Sequence, residues 1–142
     1  MQISAYQRFF VIILATLASA LVNYFPVPYF AGSQLVFGTF INPLFGLRAG
    51  LFCTLLSSWV TWLSWGSFFA IPPFAIEIVV IHFAVKSNKN PCFFGILYWL
   101  TFGWMIAGVQ LAFFTNYLEV TKIAITLKYL LNGLINVVLG YV

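Results

Sequence analysis

The chain has 142 residues, of which 63% are hydrophobic, 20% aromatic and only 6% charged, and six basic against two acidic side chains leave a net charge of +4. Soluble domains carry about 25% charged residues to solvate their surfaces, so this composition excludes a water-soluble globular domain. The basic residues are scattered singly as Arg8, Arg48, Lys86, Lys89, Lys122 and Lys128, which excludes a nucleic-acid-binding patch.

A bilayer span takes about 20 residues, so the length suits a single domain over residues 1–142 with nearly the whole chain in the membrane. Gly, Pro, Asn and charge punctuate it into six apolar segments, 6–24, 33–47, 49–65, 68–85, 92–114 and 120–141, each predicted to be a transmembrane helix. In the first, the apolar run 9–21 has the length of a signal-peptide core but is followed by Asn23-Tyr-Phe-Pro instead of a small-residue cleavage site, so it reads as a genuine helix. Ala15 with Ser19 and Thr16 with Ala20 stand four apart there and predict close helix contact, within the domain or with a partner helix. The second and third segments are short for spans, which implies thinning, steep packing or a broken helix. Asn42-Pro43 points the same way, because backbone carbonyls freed at a membrane proline need partners inside the protein.

Segment three places Thr54, Ser58, Trp62 and Trp65 on one face, with the tryptophans toward its outer end. Trp65 fits an interfacial belt, and the deeper Trp62 fits either that belt or the aromatic wall of a ligand pocket. Glu77, in mid-span of segment four, is costly in hydrocarbon and is predicted to face the bundle interior, as interhelical glue or as part of a ligand or proton-coupled site. His82 stands without a second His or Cys at metal-ligand spacing and reads as a satisfied interfacial histidine. Cys53 and Cys92 lack a C-x-x-C spacing and read as small apolar fillers. On segment six, Lys128, Asn132 and Asn136 recur every four residues as one polar stripe, at depths where Glu77 is within reach of Asn132 or Lys128. No nucleophile and base pair, phosphate-binding glycine loop or metal cluster can be assembled, so the domain is expected to be non-enzymatic, without cofactor or metal.

Lys and Arg accumulate in short cytoplasmic loops. Arg8, Arg48, Lys86 and Lys89 therefore predict both termini in the cytoplasm, with the charge-free stretches 25–32 and 66–67 outside; only Lys122, accompanied by Glu119, and Lys128 oppose this. The last segment stops at Tyr141-Val142 without a polar tail, which suggests a fragment of a longer protein.

Along the chain stand Asn23-Tyr-Phe-Pro-Val-Pro-Tyr-Phe-Ala-Gly32, Phe37-Gly38, Phe45-Gly46-Leu47-Arg48-Ala-Gly50, Trp65-Gly66, Glu77, Lys128, Asn132-Gly133 and Asn136. In order and spacing these resemble the vitamin-uptake-like sensor domain, the N-terminal membrane module of bacterial signalling proteins whose cytoplasmic parts are diguanylate cyclase and phosphodiesterase modules or histidine kinases. The resemblance implies an all-α membrane fold, a bundle of six transmembrane helices similar to the S-components of energy-coupling-factor vitamin transporters. It also implies a small molecule held beneath the external connections 25–32 and 65–69. The sensor family is expected to carry His-Pro after Trp-Gly, whereas Ser67-Phe68 stands here, so no histidine role transfers.

The expected function is a small-molecule-sensing input domain in the bacterial inner membrane, passing ligand binding through the last helix to a cytoplasmic output domain in the same chain. The expected ligand contacts are Asn23, Trp62, Trp65, Glu77, Lys128, Asn132 and Asn136. The expected partners are an unidentified small molecule, the lipid bilayer and that output domain; a homodimer stays open and nucleic acid is excluded. The competing readings are a transporter S-component and a structural membrane anchor.

Overall fold

The computed structural model describes residues 4–24, 37–66 and 68–141, and for Ser64 and Trp65 the backbone alone. The described residues form six helices and no strands. These are α1 (Ala5–Tyr24), α2 (Gly38–Phe45), α3 (Leu47–Trp65), α4 (Ile71–Lys86), α5 (Pro91–Phe114, with a π-helical turn over Trp99–Gly103) and α6 (Glu119–Tyr141). By length and composition, three of them are able to cross a membrane: α1, α5 and α6. The apolar stretch of α3, Leu47–Leu63, is shorter, α4 has 16 residues, and α2 has only 8.

Local chemistry sets the boundaries. Pro43 lies inside α2, where it has no N–H to donate to the Thr39 carbonyl. The helix stops two residues later at Phe45, and Gly46 turns the chain with φ 89°, a left-handed value that glycine adopts without a Cβ clash. The expected segment 33–47 is therefore an eight-residue helix over its described part; residues 33–36, with all of 25–32, lie outside the described residues. At the other end of α3, Gly66 is a left-handed C-terminal residue whose N–H bonds to the Trp62 carbonyl at 2.7 Å. Pro72 and Pro73 open α4, where a missing N–H costs nothing. The turn after α4 is a Schellman closure: Asn88 takes φ 53°, its N–H reaches the Val85 carbonyl at 3.1 Å, and the Lys89 N–H reaches the Ala84 carbonyl at 2.9 Å. Asn90 then caps α5 by accepting from the Phe93 N–H at 3.1 Å, with Pro91 in the first helical position.

Side chains are distributed in a sense opposite to that of a soluble bundle. On α3, Thr54, Ser57, Ser58 and Thr61 repeat at helical spacing and are buried, while Phe52, Leu55, Leu56, Trp59 and Leu63 are exposed. Likewise on α1, Thr16, Ser19 and Asn23 are buried and Phe9, Phe10, Leu14, Leu17 and Leu21 are exposed. Helix α1 packs on α3, so the small residues of α1 serve contact within the domain. The other side of the molecule has an aromatic and aliphatic core from α4, α5 and α6, built on Phe74, Ile81, Tyr98, Trp99, Tyr129 and Val137. In it the Phe74 and Trp99 rings lie 5.1 Å apart and the Phe74 and Tyr129 rings 6.2 Å apart. α2 lies against α3, α4 and α6, between the polar side and the aromatic side.

Candidate functional site

Glu77 is fully buried where the two sides meet. One carboxylate oxygen accepts from the Thr39 hydroxyl of α2 at 2.7 Å and the other from the indole N–H of Trp99 on α5 at 3.0 Å. A carboxylate in an apolar interior needs its acceptors filled, because an unpartnered buried polar group costs about 1–3 kcal/mol. Here two donors from two other helices fill them. The Trp99 ring is held in turn by close backbone approach: a Cβ on Gly133 of α6 would fall inside the indole, and Gly103, one turn further along α5, leaves room for the same ring. Glu77 and Trp99 thus join α2, α4, α5 and α6.

One turn further along α2 from Thr39, Asn42 donates to the Ile78 carbonyl at 3.0 Å, and its side-chain oxygen stands 3.3 Å from His82 Nδ1. His82 is a partnered histidine, and Asn42 clamps the short α2 to α4. Tyr98 extends the network by donating to the Pro73 carbonyl at 2.7 Å.

On the polar side, Asn23 donates to the Ser57 carbonyl at 3.1 Å, tying α1 to α3. Hydroxyls here commonly bond the carbonyl one turn back in their own helix, as Thr16 does to Ile12 at 2.7 Å and Ser57 to Cys53 at 2.6 Å. Thr54 and Ser58 do not. Their hydroxyl oxygens, Asn23 Oδ1 and Asn132 Nδ2 are buried and lack a hydrogen-bond partner among the described residues. Thr54 and Ser58 share one face of α3; Asn23 reaches the backbone carbonyl next to Ser58, while the Thr54 hydroxyl is packed against Gly38 of α2.

The expected contact residues are therefore divided. Asn23, Glu77, Asn132 and Asn136 are buried and Lys128 is partly buried. Glu77 bonds to Thr39 and Trp99, and the Asn132 amide N–H₂ is not among its donors. Trp62, 38% exposed, diverges from Thr54 and Ser58 and joins an outer aromatic cluster, stacked on Phe68 at 5.2 Å and edge-on to Trp59 at 6.2 Å. The Trp65 side chain and the 25–32 connection lie outside the described residues. Near the other expected lid, an open cavity of about 450 Å³ lies between Phe68 and Phe69 on one side and Phe114, Thr115 and Tyr117 on the other.

Thr39, Asn42 and Trp99 are site residues that sequence reasoning missed. Trp99 had a signal: an indole far from both ends of an apolar segment needs an acceptor, and the chain contains only two acidic residues. Thr39 had none, since nothing in its neighbourhood distinguishes it from other membrane threonines. Among the described residues no three His, Cys, Asp or Glu side chains converge to hold a metal ion. No protein-family model, curated protein or solved structure matches the chain.

Proposed function

We propose that the chain is a multi-pass membrane domain that holds a small molecule among its helices and passes a conformational bias through α6 to a cytoplasmic output module. The observation that carries this reading is the inverted side-chain distribution, in which apolar residues face outward on α1 and α3 while their buried stripes are polar. In water that arrangement would expose apolar surface and strand polar groups; in lipid it is the stable one. Interior polar groups that have no partner among the described residues support a ligand. Asn23 Oδ1, Ser58 Oγ and Asn132 Nδ2 offer donors and acceptors and carry no net charge, which suits a small uncharged polar molecule.

The six-helix order and the motif resemblance favour a sensor of the vitamin-uptake-like kind, in the bacterial inner membrane with both ends cytoplasmic. A ligand shifts a two-state bundle only by binding its two arrangements unequally. α6 is suited to report such a shift, because it contributes Asn132 to the interior while Gly140 lies against Thr39, the donor to Glu77.

Native mass spectrometry of the gently purified chain tests the reading. A retained small molecule is expected, with retention lost in Ser58→Ala and Asn132→Ala by about fivefold or more for each lost bond of about 1 kcal/mol. Ligand-free melting temperature should hold or rise in Ser58→Ala, which removes an unpartnered hydroxyl with little change of volume. Retention equal to the parent in both variants overturns the site.

A further inference from the structure

The cytoplasmic rim, in the orientation proposed above, carries cations that no acidic side chain among the described residues neutralises. The sequence has only two acidic residues. Glu77 is buried and bonded to Thr39 and Trp99, and Glu119 bonds Lys122 at 2.9 Å. Arg48, Lys86 and Lys89 therefore have no carboxylate side chain within ion-pair reach among the described residues.

One of these cations, Lys89, lines a defined hollow. Between α4 and the start of α5 is an open cavity of about 310 Å³, walled by Val79, Val80, Phe83 and Phe94 and bounded at its polar end by Ser87 and Lys89. The position of Lys89 is fixed from both sides. The Schellman closure after α4 holds its backbone N–H on Ala84, the Asn90 cap and Pro91 start α5 immediately after it, and its ammonium lies 5.4 Å from the centre of the Phe94 ring. The result is an apolar slot with a cation at one end, and Lys86 is exposed three residues before it.

We propose that this slot is a binding site for one anionic phospholipid, with an acyl chain against Val79, Val80 and Phe83 and the phosphate between Lys89 and Lys86. Charge complementarity selects this occupant. A neutral lipid would fill the apolar wall and leave the lysines without a counterion, whereas an acidic protein segment would leave the wall uncovered. Basic pockets between helices on the cytoplasmic side bind acidic head groups on this physical basis, at about 1 kcal/mol for each cation near the surface. The inference rests on the membrane part of the proposed function and is independent of the small-molecule ligand.

The full chain, placed in nanodiscs of phosphatidylcholine or of phosphatidylcholine with phosphatidylglycerol, is released and its bound lipid counted by native mass spectrometry, with melting temperature followed in parallel. Phosphatidylglycerol should be retained preferentially and should raise the melting temperature. Lys89→Gln and Lys86→Gln should each lower its retention about fivefold, while Lys122→Gln, at the opposite end, should not change it. Equal retention of the two lipids overturns the site, as does an equal loss in Lys122→Gln. Inorganic phosphate that stabilises the phosphatidylcholine sample as much as phosphatidylglycerol does would also overturn it, since the apolar slot would then contribute nothing. Failure of the chain to enter nanodiscs would instead overturn the membrane reading, so the two failures are distinguishable.

Discussion

Glu77 has both oxygens engaged, by a hydroxyl and by an indole, and this sets what its replacement does. A glutamine keeps an acceptor for Trp99 and turns its amide N–H₂ toward the Thr39 hydroxyl, which accepts as readily as it donates. Glu77→Gln is therefore expected to leave the fold and melting temperature close to the parent. Glu77→Leu strands both donors at about 1–3 kcal/mol each, and should lower the melting temperature in detergent by several degrees. Trp99→Phe keeps most of the packing against Gly133 and Gly103 but strands one carboxylate oxygen, so a loss of about 1–3 kcal/mol is expected there too. If Trp99→Phe melts with the parent while Glu77→Leu does not, the indole bond contributes nothing to stability.

Among the elements, α2 and α5 depart most from regular spans. α2 is short because Pro43 and Gly46 close it, and its Thr39 and Asn42, three residues apart, reach Glu77 and Ile78 on α4. α5 widens to a π turn where Trp99 enters the core, a kind of irregularity found disproportionately at functional sites. The pairing of α5 with α6 depends on the absence of a side chain at Gly133. Gly133→Ala should overpack the Trp99 pocket at about 1–3 kcal/mol, seen as a lower melting temperature and a blue-to-red change in tryptophan emission as the indole is displaced. Unchanged stability and emission in that variant would show that the two helices separate freely.

At the scale of the molecule, the apolar exterior and the cation distribution together predict how the chain sits in a membrane. α5 runs from Pro91 to Phe114 and is long and apolar enough to cross, so its ends should lie on opposite sides. A reporter inserted after Lys89 is expected to be cytoplasmic, and a tag inserted after Asn116 to be accessible from outside. Finding both on the same side would remove α5 as a span and, with it, the orientation used for the lipid slot.

The helical class, most helix ends and the inward direction of the polar residues are legible along the chain alone. Each of these is local or compositional: Gly46 and Gly66 stop helices by their own backbone freedom, Pro91 and Asn90 start one, and Asn132 and Asn136 repeat at the period of a helix face. The partners come from how the helices pack. Thr39 and Glu77 are 38 residues apart, and Glu77 and Trp99 are 22 apart. No periodicity within one helix says which neighbour's donor will meet a buried carboxylate. Depth counting along α4 and α6 puts Asn132 or Lys128 within reach of Glu77; it does not reveal that the close fit of Gly133 to Trp99 brings an α5 indole to the carboxylate. Helical spacing placed Trp62 with Thr54 and Ser58, but a face some 80° wide also includes its own edge, and the packing of α3 left Trp62 outside with Trp59 and Phe68. Which part of a stripe is interior depends on the neighbouring helices, and that information is not local to the stripe.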